Sequence, residues 1–281
     1  MKHITVLFLS ATALALVACN KSGSSVGGPS VGSVTRFKGN VTVERSGKQI
    51  KVTAPGFAIS DKDVIVTAAD SAADLELRGR GVIQVASESR LALSGLLDMK
   101  NALFGVESGS ILAALNKLKK EESLEIRTPA AIAGVRGTSF QVSVRGDKTK
   151  LGVLTGSVEI KNQRGDSFLV EAKKEIVSSQ AKLSASRDIR GSSLAEIKEM
   201  ISIDGVQKLK EYPAMVDNIK SLEILDQKAG SGELGVDKEL WGSFIGRDAR
   251  DAGGETLQNG GTTTTGKKKS GFSSDKDMMV K

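Results

Sequence analysis

Histidine and cysteine are almost absent from this chain of 281 residues: there is one of each, His3 and Cys19. Both lie in or at the edge of an N-terminal segment with the makings of a cleaved signal. That excludes a Ser-His-Asp triad, a Cys-His pair, a His-bearing or multi-Cys zinc site and any internal disulfide. Aromatic residues make up only 4%, with one Trp, one Tyr and 8 Phe. Proline is scarce at 4 residues against 31 Gly, so the chain is turn-rich without being collagen-like or proline-rich. Beyond the N-terminal stretch no uninterrupted apolar run reaches the roughly 18 residues of a membrane span, so no later crossing of a bilayer is expected.

The N-terminus itself is distinctive. Lys2 supplies a short positive region, and residues 4–17 form an apolar stretch interrupted only by Thr5, Ser10 and Thr12. Such a length is too short for a ~30 Å hydrocarbon core, which needs about 20 residues, but suits a secretory signal. It ends in Leu16-Val17-Ala18-Cys19, which resembles the lipobox of bacterial lipoproteins, where the cysteine takes a diacylglyceryl group and becomes the acylated first residue after cleavage. Two or more acyl chains anchor stably where one does not. Residues 1–18 thus read as a lipoprotein signal peptide. Residues 19–30 read as lipidated Cys19 and a tether, with seven Ser or Gly among residues 20–30. No acidic residue follows Cys19 until Glu44, which favours the outer over the inner membrane.

The formal net charge is +7. Residues 31–190 hold 25 basic and 18 acidic side chains, so the excess belongs to the central region. It reads first as solvated surface, and otherwise as an attraction for anionic lipid, glycan sulfate or phosphate. Nucleic acid is not expected, because basic-aromatic interleaving is missing.

Residues 31–190 show short apolar runs separated by Gly, Asp, Ser and Lys. Val41-Thr42-Val43, Val64-Ile65-Val66-Thr67, Asp74-Leu75-Glu76-Leu77, Val82-Ile83-Gln84-Val85 and Phe140-Gln141-Val142-Ser143-Val144 carry the period-2 alternation and β-branched content of strands. Gly39, Gly56, Gly79, Gly81, Gly109, Gly137, Gly146, Gly156 and Gly165 mark the turns. Ile111-Leu112-Ala113-Ala114-Leu115 fits either a short helix or a strand. After Ser192 the apolar spacing becomes three and four, through Leu194, Ile197 and Ile201 and again through Val216, Ile219 and Leu222. Two short helices are expected in 191–229, parted near Tyr212-Pro213 and packed on the β-region. Residues 230–281 read as a flexible tail with Trp241 and Phe244 as its only large anchors, disordered from residue 253 onward.

The run Thr128-Pro129-Ala130-Ala131-Ile132-Ala133-Gly134-Val135-Arg136-Gly137-Thr138-Ser139-Phe140 resembles the signature of the FecR domain, Thr-Pro followed by Val-Arg-Gly-Thr-x-Phe. Upstream, Asp61-Lys62-Asp63-Val64-Ile65-Val66-Thr67 and Ser71-Ala72-Ala73-Asp74-Leu75-Glu76-Leu77 match that family's Asp-x-Ile-x-Thr and Ser-x-Ala-x-Leu-x-Leu segments. Downstream, Leu154-Thr155-Gly156-Ser157-Val158-Glu159-Ile160 matches its Gly-x-Val-x-Val strand, so the resemblance covers roughly residues 31–185. The resemblance implies a mainly β, β-solenoid-like domain of stacked, twisted strands. It also implies that Thr128, Pro129, Gly134, Val135, Arg136, Gly137, Thr138 and Phe140 form a folding element, with Gly134 and Gly137 allowing a tight corner. Full-length regulators of this family sense siderophore uptake and control a sigma factor, using a cytoplasmic segment and a transmembrane helix that this sequence replaces with a cleavable signal and Cys19. The chain is more similar to the FecR-domain lipoproteins of spirochaetes and other bacteria with an outer membrane.

Catalytic motifs are weak. Gly261-Thr262-Thr263-Thr264-Thr265-Gly266-Lys267-Lys268 approaches a P-loop but has Lys268 where Mg²⁺ needs Ser or Thr. Ser179-Gln180-Ala181-Lys182 fits Ser-x-x-Lys without its companion motifs. Asp61/Asp63 and Asp70/Asp74 lack the Gly and terminal Glu of a calcium loop. No enzyme, metal or cofactor is expected. The sequence describes a non-catalytic, lipid-anchored envelope protein that binds an envelope protein, the cell wall or an anionic glycan. The alternatives are a signalling element acting through a membrane partner and a surface adhesin.

Overall fold

The computed structural model describes residues 29–202, 211–229, Leu240, Trp241 and Phe244. The signal peptide, Cys19, most of the tether and the P-loop-like segment lie outside the described residues. The described chain runs through β1 (Ser30–Lys38), β2 (Val41–Arg45), β3 (Lys48–Lys51), β4 (Phe57–Ser60), β5 (Val64–Thr67), β6 (Ala72–Leu77), β7 (Gly81–Val85), β8 (Arg90–Ser94) and β9 (Ala102–Leu115). It continues through β10 (Leu124–Arg127), β11 (Ala131–Val135), β12 (Ser139–Arg145), β13 (Lys148–Thr155), β14 (Ser157–Asn162), β15 (Ser167–Glu171), β16 (Lys174–Ser179) and β17 (Arg187–Asp188). Two helices follow, α1 (Gly191–Ser202) and α2 (Pro213–Ala229). All five strand runs read from the sequence are strands, and the ambiguous run 111–115 is the second half of β9. The nine glycines expected at turns all have positive φ, but two are not at turns: Gly81 opens β7 and Gly109 lies inside β9.

The strands form two layers. In layer A the hydrogen-bonded order is β4-β1-β6-β7-β9-β12-β13-β16-β17. In layer B it is β3-β2-β5-β8-β9-β10-β11-β14-β15. The long β9 belongs to both. Residues 102–108 pair in layer B, and 109–115 pair in layer A. The crossing falls at Gly109, whose φ is +77° and where an added Cβ would lie 2.1 Å from Ser89 Oγ. Only a glycine allows the backbone to approach so closely.

After its first strands the chain alternates between the layers and advances steadily along them, as the coils of a solenoid would. The ladders, however, are antiparallel, apart from β9 with β10. Alternate residues point between the layers and build one core, from Val34, Leu75, Ile83 and Phe104 to Phe140, Val153 and Ile176. This is the period-2 pattern of the sequence turned into packing. A second core lies on the outer side of layer A, where Val82, Leu112, Ala114 and Leu154 meet Leu194, Ile197 and Met200 of α1 and Met215, Ile219 and Leu222 of α2. Pro213 opens α2, at a position where its missing N–H costs no helical bond. Asn218 Nδ2 donates to the Leu154 carbonyl at 2.6 Å, fixing α2 to β13.

Candidate functional site

The signature segment, residues 128–140, runs from the turn after β10 through β11 to the start of β12. Thr128 makes a local turn: its backbone N–H and side chain both bond to Ala131, and Thr149 Oγ1 donates to Thr128 Oγ1 at 2.7 Å. Pro129 follows at the turn, where no ladder bond is lost. Val135 and Phe140 point into the core, Phe140 with no exposed surface. Thr138 is buried, and Arg136 is exposed. Gly137 turns the chain with φ +80°, and an added Cβ there would lie 2.4 Å from Lys117 Cα. Gly134 departs from expectation. It lies within β11 rather than at a corner, paired with Glu125 and Glu159, and an added Cβ would meet nothing within 4 Å. Only one of the two signature glycines is therefore a turn.

Residues 63–159 match the family described as FecR protein. That segment is similar to the FecR domain. It runs from the start of β5 into β14, so the two-layered unit extends beyond the FecR segment at both ends. No curated protein matches the chain. Among solved structures, two crystal structures of a candidate anti-sigma factor from Parabacteroides distasonis ATCC 8503 are similar at 15% identity and a TM-score of 0.40. The match covers 44% of this chain and 59% of that one.

The sequence did not reveal the main electrostatic feature, a polar seam between the FecR domain and α1. On the outer face of layer A, one cross-strand row runs Arg36, Asp74, Gln84, Leu112, Gln141, Gly152, Glu175, Arg187. The next includes Ser110, Ser143, Lys150 and Val177. α1 covers part of both rows. Lys150, its side chain 2% exposed, donates from Nζ to Glu196 Oε2 at 2.8 Å and to Ser193 Oγ at 3.1 Å. Ser110 and Ser143 each donate to Glu196 Oε1 at 2.8 Å. Burial pushes the Glu196 carboxyl up, but the charge of Lys150 and the bonds from Lys150, Ser110 and Ser143 outweigh it and hold the pKa at about 2. Glu175 is the converse: burial dominates and raises its pKa, against the opposing charges of Lys150 and Arg187.

Trp241 and Phe244 close the seam. The Arg187 guanidinium, bonded to Glu175 Oε1 at 2.8 Å, lies 3.6 Å from the Trp241 ring centre. Lys150 Nζ is 5.4 Å and Arg145 Cζ 5.0 Å from that of Phe244. These are cation–π distances, and desolvation strengthens such contacts.

Three of the four carboxylates considered for a cation, all but Asp70, have partners within the fold. Asp63 accepts a two-pronged bond from Arg45, at 2.8 and 2.7 Å, and a bond from the Ser60 N–H. Asp74 pairs with Arg36 at 2.7 Å, and Asp61 accepts from the Leu96 N–H. In Ser-x-x-Lys, Ser179 Oγ accepts from the Lys182 N–H and donates to its carbonyl, which is a turn motif.

Proposed function

We propose that this chain is a non-catalytic regulatory protein of FecR type, anchored at the cell envelope through lipid on Cys19, and that its β-domain binds another envelope macromolecule. The FecR segment at residues 63–159 is the observation that carries this reading. The chemistry of the site supports it. The one close Lys–Ser contact among the seam residues described, Lys150 with Ser193, is buried beneath α1, with Lys150 paired to Glu196 at 2.8 Å.

A chain held by lipid outside the cytoplasm reaches a sigma factor only through a membrane-spanning partner, so signalling and binding belong to one account here. The adhesin reading draws less support. Arg36, Arg45, Arg80, Arg90, Lys150 and Arg187 each lie within 2.8 Å of a carboxylate, which reduces the basic surface left for a sulfated glycan.

The test is membrane fractionation of cells that express the wild-type chain or Cys19→Ser. The wild type is expected in the membrane fraction until detergent is added, and Cys19→Ser in the soluble envelope fraction. Equal distribution of the two would overturn the anchor.

A further inference from the structure

Each layer of an open sandwich has two edges, and an unpaired edge strand invites pairing with another chain unless something blunts it. Three of the four edges here are blunted. β3 carries Lys48 and Lys51. At β4, Arg45 donates to the Ala58 carbonyl at 2.8 Å and lies over the Phe57 ring. β17 is two residues long. The fourth edge is β15, with sequence Ser-Phe-Leu-Val-Glu, which pairs only with β14 among the described residues. It carries no lysine, arginine or proline. Phe168 is 43% and Leu169 55% exposed.

We propose that β15 pairs antiparallel with β15 of a second copy, about a twofold axis through Leu169, to form a dimer with continuous layer B. The strand is self-complementary about that axis. Val170 faces the core opposite Val158, and Phe168 lies on the same face opposite Ile160. Self-pairing sets Phe168 beside Val170 of the second copy, and Val170 beside its Phe168, so the two cores join. On the outer face, Leu169 meets its own copy.

The charges also agree. Self-pairing sets Glu171 beside Ser167 of the second copy, and Ser167 is the register partner of Lys161. Lys161 already leans toward the hairpin end, its Cε 3.8 Å from where a Cβ on Gly165 would lie. Across the short Ser167, Glu171 and Lys161 of opposite copies are about two strand spacings apart, roughly 10 Å between Cα atoms, which their side chains span. Opposite charges at both ends of a two-stranded seam favour the antiparallel register over a slipped one. A seam of five residues is small, so the dimer is expected to be weak and reversible.

The test uses the full chain with Cys19→Ser, so that an introduced cysteine is the only thiol. Under mild oxidation, Leu169→Cys is expected to give a disulfide-linked dimer. Ser167→Cys is not, because its copies would lie about 13 Å apart and a disulfide needs Cα atoms within about 7 Å. Ser167→Cys/Glu171→Cys restores cross-linking. In analytical ultracentrifugation, Leu169→Lys should weaken dimerisation at least tenfold, with unchanged circular dichroism because the side chain is exposed. A monomer at high protein concentration would overturn the proposal, including one in which another segment of the same chain covers β15. So would equal cross-linking at 167 and 169, or a dimer indifferent to Leu169→Lys.

Discussion

Gly134 and Gly137 stand three residues apart in one signature yet answer to different constraints. Gly137 combines a left-handed backbone with a close approach to Lys117, so Gly137→Ala is expected to cost at least about 2 kcal/mol. Gly134 has a strand conformation and open space, so Gly134→Ala should leave thermal stability unchanged or raise it by up to about 1 kcal/mol. Thermal denaturation of the two variants checks this. If Gly134→Ala also abolishes regulation in cells while Gly134 contributes nothing to folding, the residue serves binding. The pattern of the motif alone could not separate the two glycines, since the sequence carries no record of which backbone lies alongside.

At the scale of elements, the helices were legible from their three-and-four spacing, whereas the seam beneath them was not. Gln141, Ser143, Lys150 and Glu175 alternate with core residues on β12, β13 and β16, and a polar residue at every second position normally marks a solvated face. α1 covers that face and converts ordinary surface residues into a buried network. The only hint lay in Ser193 and Glu196, which share one side of α1 with Leu194 and Ile197. Removing one member of a buried ion pair strands the other, so Glu196→Ala is expected to cost about 3–5 kcal/mol, while Lys150→Met/Glu196→Leu recovers much of that loss.

The pH dependence follows from the same pair. The Glu196 pKa is lowered on folding, to about 2 from 4.5, so its contribution is complete above about pH 4.5 and lost as pH falls toward 2. Glu175, with its pKa raised, works in the opposite sense, so the wild type alone mixes two effects. The stability difference between wild type and Glu196→Gln isolates the first: largest at neutral pH, it should shrink steadily below about pH 4.5. Trp241, the only tryptophan and stacked on Arg187, provides the fluorescence signal. A difference that is flat with pH would contradict this role for Glu196.

On the scale of the whole molecule, the β-class was legible because two facing layers require alternate residues to be apolar, strand after strand. The pairing order was less so. That β9 serves both layers depends on Gly109 meeting Ser89, a contact between residues with no shared motif. The result is a body whose layer A is roofed by α1 and α2 and whose layer B ends at β15, which among the described residues pairs only with β14. The function proposed here, regulation of FecR type from the envelope, would join this fold to Cys19. The measurement that tests it most directly is a transcript profile of cells lacking the chain, complemented with either the wild type or Cys19→Ser. A confined set of transcripts should change on deletion and be restored by the wild type but not by Cys19→Ser; transcription unchanged by the deletion would contradict a regulatory role.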